Sequence, residues 1–245
     1  MAAIQHTPSL SDHRTGGGNF AVAGILSYLA DRRLQTGDKL PSERDFAERL
    51  GVGRNTVREA LATLVTLRVV ESKPNSGIYL RHVAKESSFE ALVMLAEMGA
   101  TPTETEVVET MEVRAHLELL ATSLACKRRT EKDLERMESV LSQTQDVLAR
   151  GGNIAAMDTE FHLAVAEATH NSVLVRVLNA FYQFTAARRE VLFADQEQGE
   201  TSALDHKKLL QHIRNSAPEP AQKLILKHME RARKYWGKVL GDKKT

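Results

Sequence analysis

The sequence of 245 residues predicts a mainly α-helical protein, in which three helices and a β-hairpin precede an all-α antiparallel bundle of six or seven helices. Two observations predict this architecture. Apolar residues recur at helical spacing from Phe20 onward. Two short β-prone runs, residues 69–73 and 78–80, flank a Pro/Asn/Gly turn at residues 74–77, as in a hairpin. After about residue 84 the helical period continues without a convincing strand.

The N-terminal elements follow one another in a particular order. The first helix begins near Phe20, and Ser42 has the position of an N-cap, with Asp45 three residues later. After this second, short helix, residues 51–53 (Gly-Val-Gly) predict a tight turn, and a third helix begins near Arg54. Helix, helix, tight turn, helix and hairpin is the order of a winged helix-turn-helix.

The third predicted helix carries residue types that contact DNA. Arg54 and Arg58 lie four residues apart on the face away from its apolar positions, and Asn55 and Thr56 lie near its N-terminus. Between residues 32 and 81, ten Lys and Arg residues stand against six acidic ones, whereas the whole chain has a net charge of +1. This local basic excess favours a double-stranded DNA partner. A small packing module with solvated arginines is the alternative.

The residues around this turn resemble the signature of the GntR family of transcription regulators. The matching segments are residues 40–44 (Leu-Pro-Ser-Glu-Arg), residues 50–61, and residues 77–80 (Gly-Ile-Tyr-Leu), which resemble the family's wing. Gly53 stands where the family usually has a serine. The resemblance implies that DNA is contacted by Arg44, Arg54, Thr56 and Arg58, and that Gly77 approaches the minor groove.

In the C-terminal half, three of the nine histidines lie on apolar helix faces. His162 follows Asp158 by four residues, so the two share one face. His206 and His228 lie on two further predicted helices, among leucine and isoleucine residues. One carboxylate and three imidazoles from three helices can surround a divalent metal ion, and zinc or nickel suits these donors. Histidines that are satisfied inside an apolar core are the alternative.

A second resemblance covers about residues 85–240. Residues 112–118 and 158–166, the latter with an Asp-x-x-Phe-His string, look like the FCD ligand-binding domain of the FadR subfamily. The resemblance implies that Asp158, His162, His206 and His228 bind a metal ion. It argues against an acyl-CoA ligand, because the members that bind acyl-CoA lack this set.

Arg114 lies on the first long helix of this half, with apolar residues at flanking positions. A buried guanidinium group needs an anion. An internal carboxylate such as that of Glu118 is one candidate. The other is the carboxylate of a small organic acid, an effector bound between the metal ion and Arg114.

The patterns predict four segments: a disordered tail (1–18), the winged helix-turn-helix (19–82), a linker with a short helix (83–103) and the all-helical FCD-type domain (104–241). The sequence contains no run of about 18 apolar residues that could span a membrane, and we expect a cytoplasmic protein.

Together these patterns predict a homodimeric transcription regulator on a palindromic operator, by resemblance a repressor, controlled by a small carboxylate effector. No G-x-S-x-G or H-E-x-x-H string is present, so we expect no enzyme activity. A metal-dependent enzyme, or a metal-stabilised dimerisation module, fused to the DNA-binding domain is the alternative.

Overall fold

The computed structural model describes residues 16–97 and 103–241, which divide into two compact units with the boundary between Met94 and Leu95. Residues 1–15 of the expected tail, and the predicted break at residues 99–102, lie outside the described residues. The first unit contains α1 (Gly16–Asp31), α2 (Glu43–Leu50), α3 (Arg54–Thr66), β1 (Val70–Lys73), β2 (Gly77–Leu80), α4 (Val83–Glu86) and the start of α5 (Phe89–Glu97). The second contains α6 (Glu104–Arg128), α7 (Glu131–Ala149), α8 (Ala155–Glu167), α9 (Ser172–Phe184), α10 (Ala186–Leu192), α11 (Gln196–Arg214) and α12 (Pro218–Gly241). Helix α1 thus begins inside the expected tail.

Local sequence signals fix the turn between α2 and α3. The Ser42 hydroxyl accepts a hydrogen bond from the Asp45 backbone N–H at 3.2 Å, and the Asp45 carboxylate accepts one from the Ser42 N–H at 3.1 Å. This capping box satisfies two N–H groups that the helix leaves free. Gly51 ends α2 with a φ of 65°, a left-handed conformation that glycine adopts at little cost. The predicted tight turn is confirmed.

The hairpin is antiparallel, with Val70 opposite Leu80 and Lys73 opposite Gly77. Gly77 has a φ of +127°, and a Cβ atom at this position would lie 2.8 Å from the Lys39 Cε atom. Both facts favour glycine here. The hairpin and α1–α3 enclose a small core, in which Ile25, Phe46 and Leu64 have no exposed surface.

Helix α8 lies at the centre of the second unit, where it contacts α6, α7, α9, α10 and α11. The apolar core around it includes the fully buried side chains of Met137, Phe161 and Ile213. Cys126 is also buried in this core. Throughout residues 16–97 and 103–241, each helix is too short or too polar to span a lipid bilayer.

One helix predicted over residues 172–195 is divided in the structure into α9 and α10. At the division, the Tyr182 backbone carbonyl accepts a hydrogen bond from Arg189 Nη2 at 2.6 Å, and the Thr185 hydroxyl accepts one from Arg189 Nη1 at 2.6 Å. A side chain therefore bonds a carbonyl at the C-terminal end of α9. The prediction of one helix was therefore wrong. It was made because the sequence has neither Gly nor Pro here to indicate a break.

The predicted start of α11 was also displaced. The helix was expected from about residue 200 but begins at Gln196, because Asp195 acts as its N-cap and accepts a hydrogen bond from the Glu197 N–H at 3.0 Å. Gly199 lies inside this helix. A Cβ atom at that position would lie 3.3 Å from Leu148 Cδ2, so α11 packs closely against α7 there.

Candidate metal centre and DNA-binding surface

Four side chains with metal-binding atoms meet inside the helical unit. Asp158 and His162 lie one turn apart on α8, His206 lies on α11, and His228 lies on α12. Each of the four residues is at least 95% buried. One nitrogen or oxygen atom from each lies within 4.8 Å of the others. The four residues that the sequence proposed as a set are thus close together, on three helices.

The spacing of these atoms matches a metal site better than a hydrogen-bonded cluster. Asp158 Oδ1 lies 3.4 Å from His206 Nε2 and 3.8 Å from His162 Nε2. The imidazole ring centres of the three histidines are 4.9 to 5.4 Å apart. Donor atoms about 2.1 Å from a tetrahedral ion lie roughly 3.4 Å from one another. The two distances from Asp158 Oδ1 are close to this value.

Two carboxylates outside the cluster orient its imidazole rings. Glu118 Oε2 lies 3.1 Å from His162 Nδ1, and Asp205 Oδ2 lies 3.4 Å from His228 Nδ1. An ionised carboxylate can only accept a hydrogen bond, so we assign the proton of the His162 ring to Nδ1, and its Nε2 atom then presents a lone pair to the cluster. Carboxylates commonly fix histidine ligands in this way. His228 Nδ1 also lies 3.2 Å from Arg231 Nη2, a donor, so it has an acceptor and a donor as neighbours.

His206 has a different environment. Its ring stacks on Phe161, with centroids 4.3 Å apart, and among the described residues neither ring nitrogen has a hydrogen-bond partner. His162 Nε2 also lacks a partner there. Buried polar atoms are rarely left without one. Unpartnered nitrogens that face a carboxylate therefore fit a divalent cation.

The charges of the cluster are also suited to a cation. Burial lowers the pKa of His206 and of His228, so both imidazoles are neutral near pH 7 and can donate electron pairs. Burial by itself would raise the pKa of the Asp158 carboxyl. Electrostatic interactions with His162, His206 and Arg114 outweigh this effect and lower the pKa of Asp158 well below its usual value. Ionised carboxylate and neutral imidazole are the forms that bind metal ions.

Arg114 is buried beside this cluster, on α6. Its Nε atom lies 3.7 Å from Glu118 Oε1, and its Nη2 donates a hydrogen bond to the Tyr182 hydroxyl at 3.4 Å. The Tyr182 hydroxyl in turn donates to Glu118. Within the described part of the chain, Arg114 Nε has no hydrogen-bond partner. The internal partner considered for Arg114 is therefore present, and one donor remains available for another anion.

Sequence reasoning missed four polar residues of this region: Tyr182, Arg189, Ser202 and Asp205. Arg189 Nε lies 3.9 Å from Asp158 Oδ2, and Ser202 donates a hydrogen bond to the Asp158 carboxylate at 3.3 Å. Asp205 precedes His206 in the chain, which is a signal that could have drawn attention to it. Tyr182 and Arg189 lie on a predicted helix that carried no recognisable motif.

The residues predicted to contact DNA lie on the surface of the first unit. Arg54, Asn55 and Arg58 are exposed at the start of α3, and Thr56 is half-buried. Arg58 donates a hydrogen bond to the Asn55 side chain. The first turn of α3, as described, has no acidic residue, so its positive helix end is available to a phosphate group.

Arg44 and Gly77 lie outside α3. Arg44 is also exposed, with Asp45 and Glu48 carboxylate oxygens 3.9 Å from its Nε atom, a distance at which exposed ion pairs are weak. Gly77 is half-buried at the start of β2.

An N-terminal winged helix-turn-helix followed by an all-helical unit is the architecture of a DNA-binding transcription regulator. Comparison with known families is specific. Residues 19–80 match the bacterial regulatory proteins of the gntR family, and residues 109–231 match the FCD domain. The chain therefore belongs to the GntR family of transcription regulators, and its second unit is an FCD domain.

Curated relatives support this assignment. The Uxu operon regulator of Haemophilus influenzae is 31% identical over 199 residues, which cover 79% of this chain and 72% of the relative. The HTH-type transcriptional regulator LutR of Bacillus subtilis is 35% identical over 151 residues, which cover 62% of this chain and 67% of LutR. The matched families and relatives are transcription regulators, not enzymes. The expectation of a regulator without enzyme activity is confirmed.

Solved structures share the fold. A Streptococcus agalactiae GntR protein is 25% identical, with a TM-score of 0.50, and the match covers 89% of this chain and 99% of that one. Lar, which controls the expression of the agr system of Listeria monocytogenes, is 18% identical, with a TM-score of 0.63 over 94% of this chain and 97% of Lar. The predicted fold class is confirmed.

The Tyr182 hydroxyl links Glu118 to Arg114, so its removal should destabilise the helical unit. We expect Tyr182→Phe to lower the free energy of unfolding by about 1–3 kcal/mol, because buried charged groups lose a hydrogen-bond partner. The measurement is urea denaturation followed by fluorescence of Trp236, the one tryptophan in the sequence, which lies on α12.

Tyr235→Phe is the matched control. Its hydroxyl makes an exposed contact with the Val191 carbonyl at 3.4 Å, so a change within about 0.5 kcal/mol is expected. Equal losses in the two variants would contradict the proposed network.

Proposed function

We propose that this protein is a repressor whose affinity for a palindromic operator is controlled by a small organic acid, bound at a divalent metal ion in the FCD domain. The observation that carries the proposal is the burial of Asp158 together with three imidazoles, beside a guanidinium group that has an unpartnered nitrogen among the described residues. Such a cluster costs free energy unless it serves a ligand.

The donors for the metal ion are the Asp158 carboxylate and the imidazoles of His162, His206 and His228. This set of one oxygen and three nitrogen donors suits zinc or nickel. A bound divalent ion supplies positive charge, and an ion that takes five or six ligands keeps one or two coordination positions beyond these four donors, to which an anion can bind. Glu118 and Asp205 hold two of the imidazoles in the orientation that ligation requires.

A carboxylate is the effector group that this region favours. Arg114 is 5% exposed, and its Nε atom can form a charge-assisted hydrogen bond with an incoming carboxylate while Nη2 stays with Tyr182. The cation and Arg114 together would then hold opposite sides of one small acid. Hydroxy acids, keto acids and sugar acids have the required chemistry.

Control of DNA binding requires that the acid has different affinities for two states of the protein. In a repressor that the acid releases, the state with low DNA affinity binds the acid more tightly. A coupling free energy of about 1–3 kcal/mol corresponds to a change of about 5- to 150-fold in operator affinity.

The metal site is tested by stoichiometry and by response. Metal-stripped protein should bind about one Zn²⁺ per chain, and its melting temperature should rise, because an ion that binds the native state stabilises it. In the Zn²⁺-loaded protein, a screen of hydroxy, keto and sugar acids by fluorescence anisotropy should find at least one that weakens operator binding about 5- to 150-fold. His206→Ala should lose both the metal and the response.

His116→Ala is the control, because His116 is exposed on α6 and is not part of the cluster. This variant should keep the metal and the response. If His206→Ala retains as much Zn²⁺ as the wild type, the proposed site is wrong. If Zn²⁺ stabilises the protein but no acid alters DNA binding, the ion is structural and the sensing part of the proposal fails.

The DNA-binding proposal assigns direct contacts to Arg44, Arg54, Asn55, Thr56 and Arg58, and a close approach of Gly77. Arg54→Ala and Arg58→Ala should each weaken binding to the DNA upstream of the protein's own gene by about 1–3 kcal/mol, because each removes a contact of a charged donor with a base edge or phosphate. Gel-shift titration of the folded variants measures this loss.

Arg68→Ala removes the same charge just beyond the other end of α3, where Arg68 is exposed. It should weaken binding less than either of the other variants. Equal losses in all three would indicate attraction by net charge alone, and would contradict insertion of the N-terminal end of α3 into the major groove.

A homodimer is proposed because a palindromic operator presents two symmetry-related half-sites. Apolar residues exposed on two adjacent helices of the FCD domain offer a surface for a second copy. Val113 and Leu120 on α6 are each 48% exposed, and Val173 on α9 is 65% exposed. Helices α6 and α9 pack together through Ala121, Leu174 and Leu178. Apolar patches of this kind often mark protein interfaces.

Leu120→Glu should raise the dissociation constant of the dimer at least about tenfold, since a carboxylate would be buried in the interface. Sedimentation equilibrium over a range of concentrations measures it. Leu204→Glu is the matched control, because Leu204 is 59% exposed on α11. A dimer equally weakened by both variants, or a monomeric wild type, would refute this assignment of the interface.

A further inference from the structure

A second buried guanidinium group, that of Arg189, faces the metal cluster from α10. Its side chain is 5% exposed. Nη1 and Nη2 donate to Thr185 and to the Tyr182 carbonyl, each at 2.6 Å. Nε lies 3.9 Å from Asp158 Oδ2 and has no hydrogen-bond partner in the described part of the chain. Two nitrogens therefore hold the group in place, and the third is directed at the cluster.

Arg114 and Arg189 both lie against the ring of Tyr182. Their guanidinium carbons are 4.8 Å and 4.7 Å from its centroid. Burial, and then the charge of Arg114, lower the pKa of Arg189 to about 10, so the group is still protonated near pH 7. Two buried cations beside one ring repel each other, as the effect of Arg114 on the pKa of Arg189 indicates, and anions are needed to offset the repulsion.

The charges of this region do not balance once a divalent cation is present. The carboxylates of Glu118 and Asp158 offset the two guanidinium groups, and Asp205 is paired with Arg231. A bound divalent ion adds two positive charges. A monocarboxylate would leave one buried charge without a counterion, whereas a dianion restores neutrality. Uncompensated buried charge is costly, so the charge count favours a dianion.

A cleft in the protein surface leads to Arg189. It is bounded by α7, α8, α9 and α10, has a volume of about 580 Å³, and is lined by Tyr182, Arg189, Asn179 and Gln183. Two carboxylates, those of Glu160 and Glu190, also line it, and the first is paired with Arg136. Ligand sites commonly have volumes of this size, with a few polar groups among apolar ones. Arg189 therefore lies between the cleft and the metal cluster, where an incoming acid would meet it.

We propose that Arg189 is a second anion-binding residue, and that the effector is a dicarboxylate with one carboxylate toward the metal ligands and Arg114 and the other toward Arg189. This inference rests on the proposed function, since it assumes a metal ion and an acid in the same site. Beyond the proposed function, it specifies that the effector has two carboxylates and that Arg189 recognises the second one.

The test compares acids that differ in one carboxylate. Calorimetric titration of the Zn²⁺-loaded protein is carried out with malate against 2-hydroxybutyrate, and with galactarate against galactonate. In at least one pair, the dicarboxylate should bind about 10- to 100-fold more tightly. Arg189→Gln should reduce its affinity to that of the matched monocarboxylate and leave the monocarboxylate unchanged. Arg188→Gln, one residue away and stacked on Phe184, should alter neither.

Each result has a distinct meaning. If monocarboxylates bind in a metal-dependent manner and in neither pair does the dicarboxylate bind more tightly, the further inference is overturned and the proposed function stands. If none of the four acids binds the Zn²⁺-loaded protein, the inference fails, and if the wider acid screen also finds none, the proposed function fails with it.

Because Arg189 also bonds the end of α9, Arg189→Gln could unfold. Arg189→Lys keeps the charge but loses the fork of nitrogens, and unaltered selectivity in that folded variant would likewise overturn the inference.

Discussion

The burial of charged and polar side chains at the centre of the FCD domain is the constraint on which the rest of the structure depends. Asp158, Glu118, Arg114 and Arg189 are all at least 95% buried, around a helix that contacts five others. Each of these groups would be costly to bury alone. Their arrangement as alternating carboxylates, guanidinium groups and imidazoles reduces that cost. Four of the nitrogens left without hydrogen-bond partners among the described residues lie 3.4 to 3.9 Å from an oxygen of Asp158 or Glu118.

The same network shapes the backbone around it. Arg189 holds the C-terminal end of α9 by bonding the Tyr182 carbonyl, so the division between α9 and α10 and the position of a candidate ligand-binding group have one cause. Glu118 joins α6 to α8 through His162, and Asp205 joins α11 to α12 through His228. The polar contacts thus connect different helices of the bundle, and they hold imidazole rings in place at the same time.

The sequence predicted the two units with unequal success, for a physical reason. In the DNA-binding unit the decisive signals are short-range: the Ser42–Asp45 capping box and the left-handed Gly51 act within a few residues. In the FCD domain, periodicity placed His162, His206 and His228 on apolar faces, but it could not say which faces meet. Resemblance to a family supplied that step. The roles of Tyr182 and Arg189 depend on contacts between side chains far apart in the chain, such as Tyr182 with Glu118 and Arg189 with Asp158, and no local pattern encodes them.

A ligand at this cluster would act on the bundle as a whole. Its donors come from α8, α11 and α12, and the carboxylates that orient them come from α6 and α11. The free energy of binding at such a site therefore also stabilises the packing of these helices against one another. An acid that adds a further partner from α10 or α6 changes which helices are held together. This gives a domain with no catalytic task a way to convert the presence of a small anion into a change of conformational population.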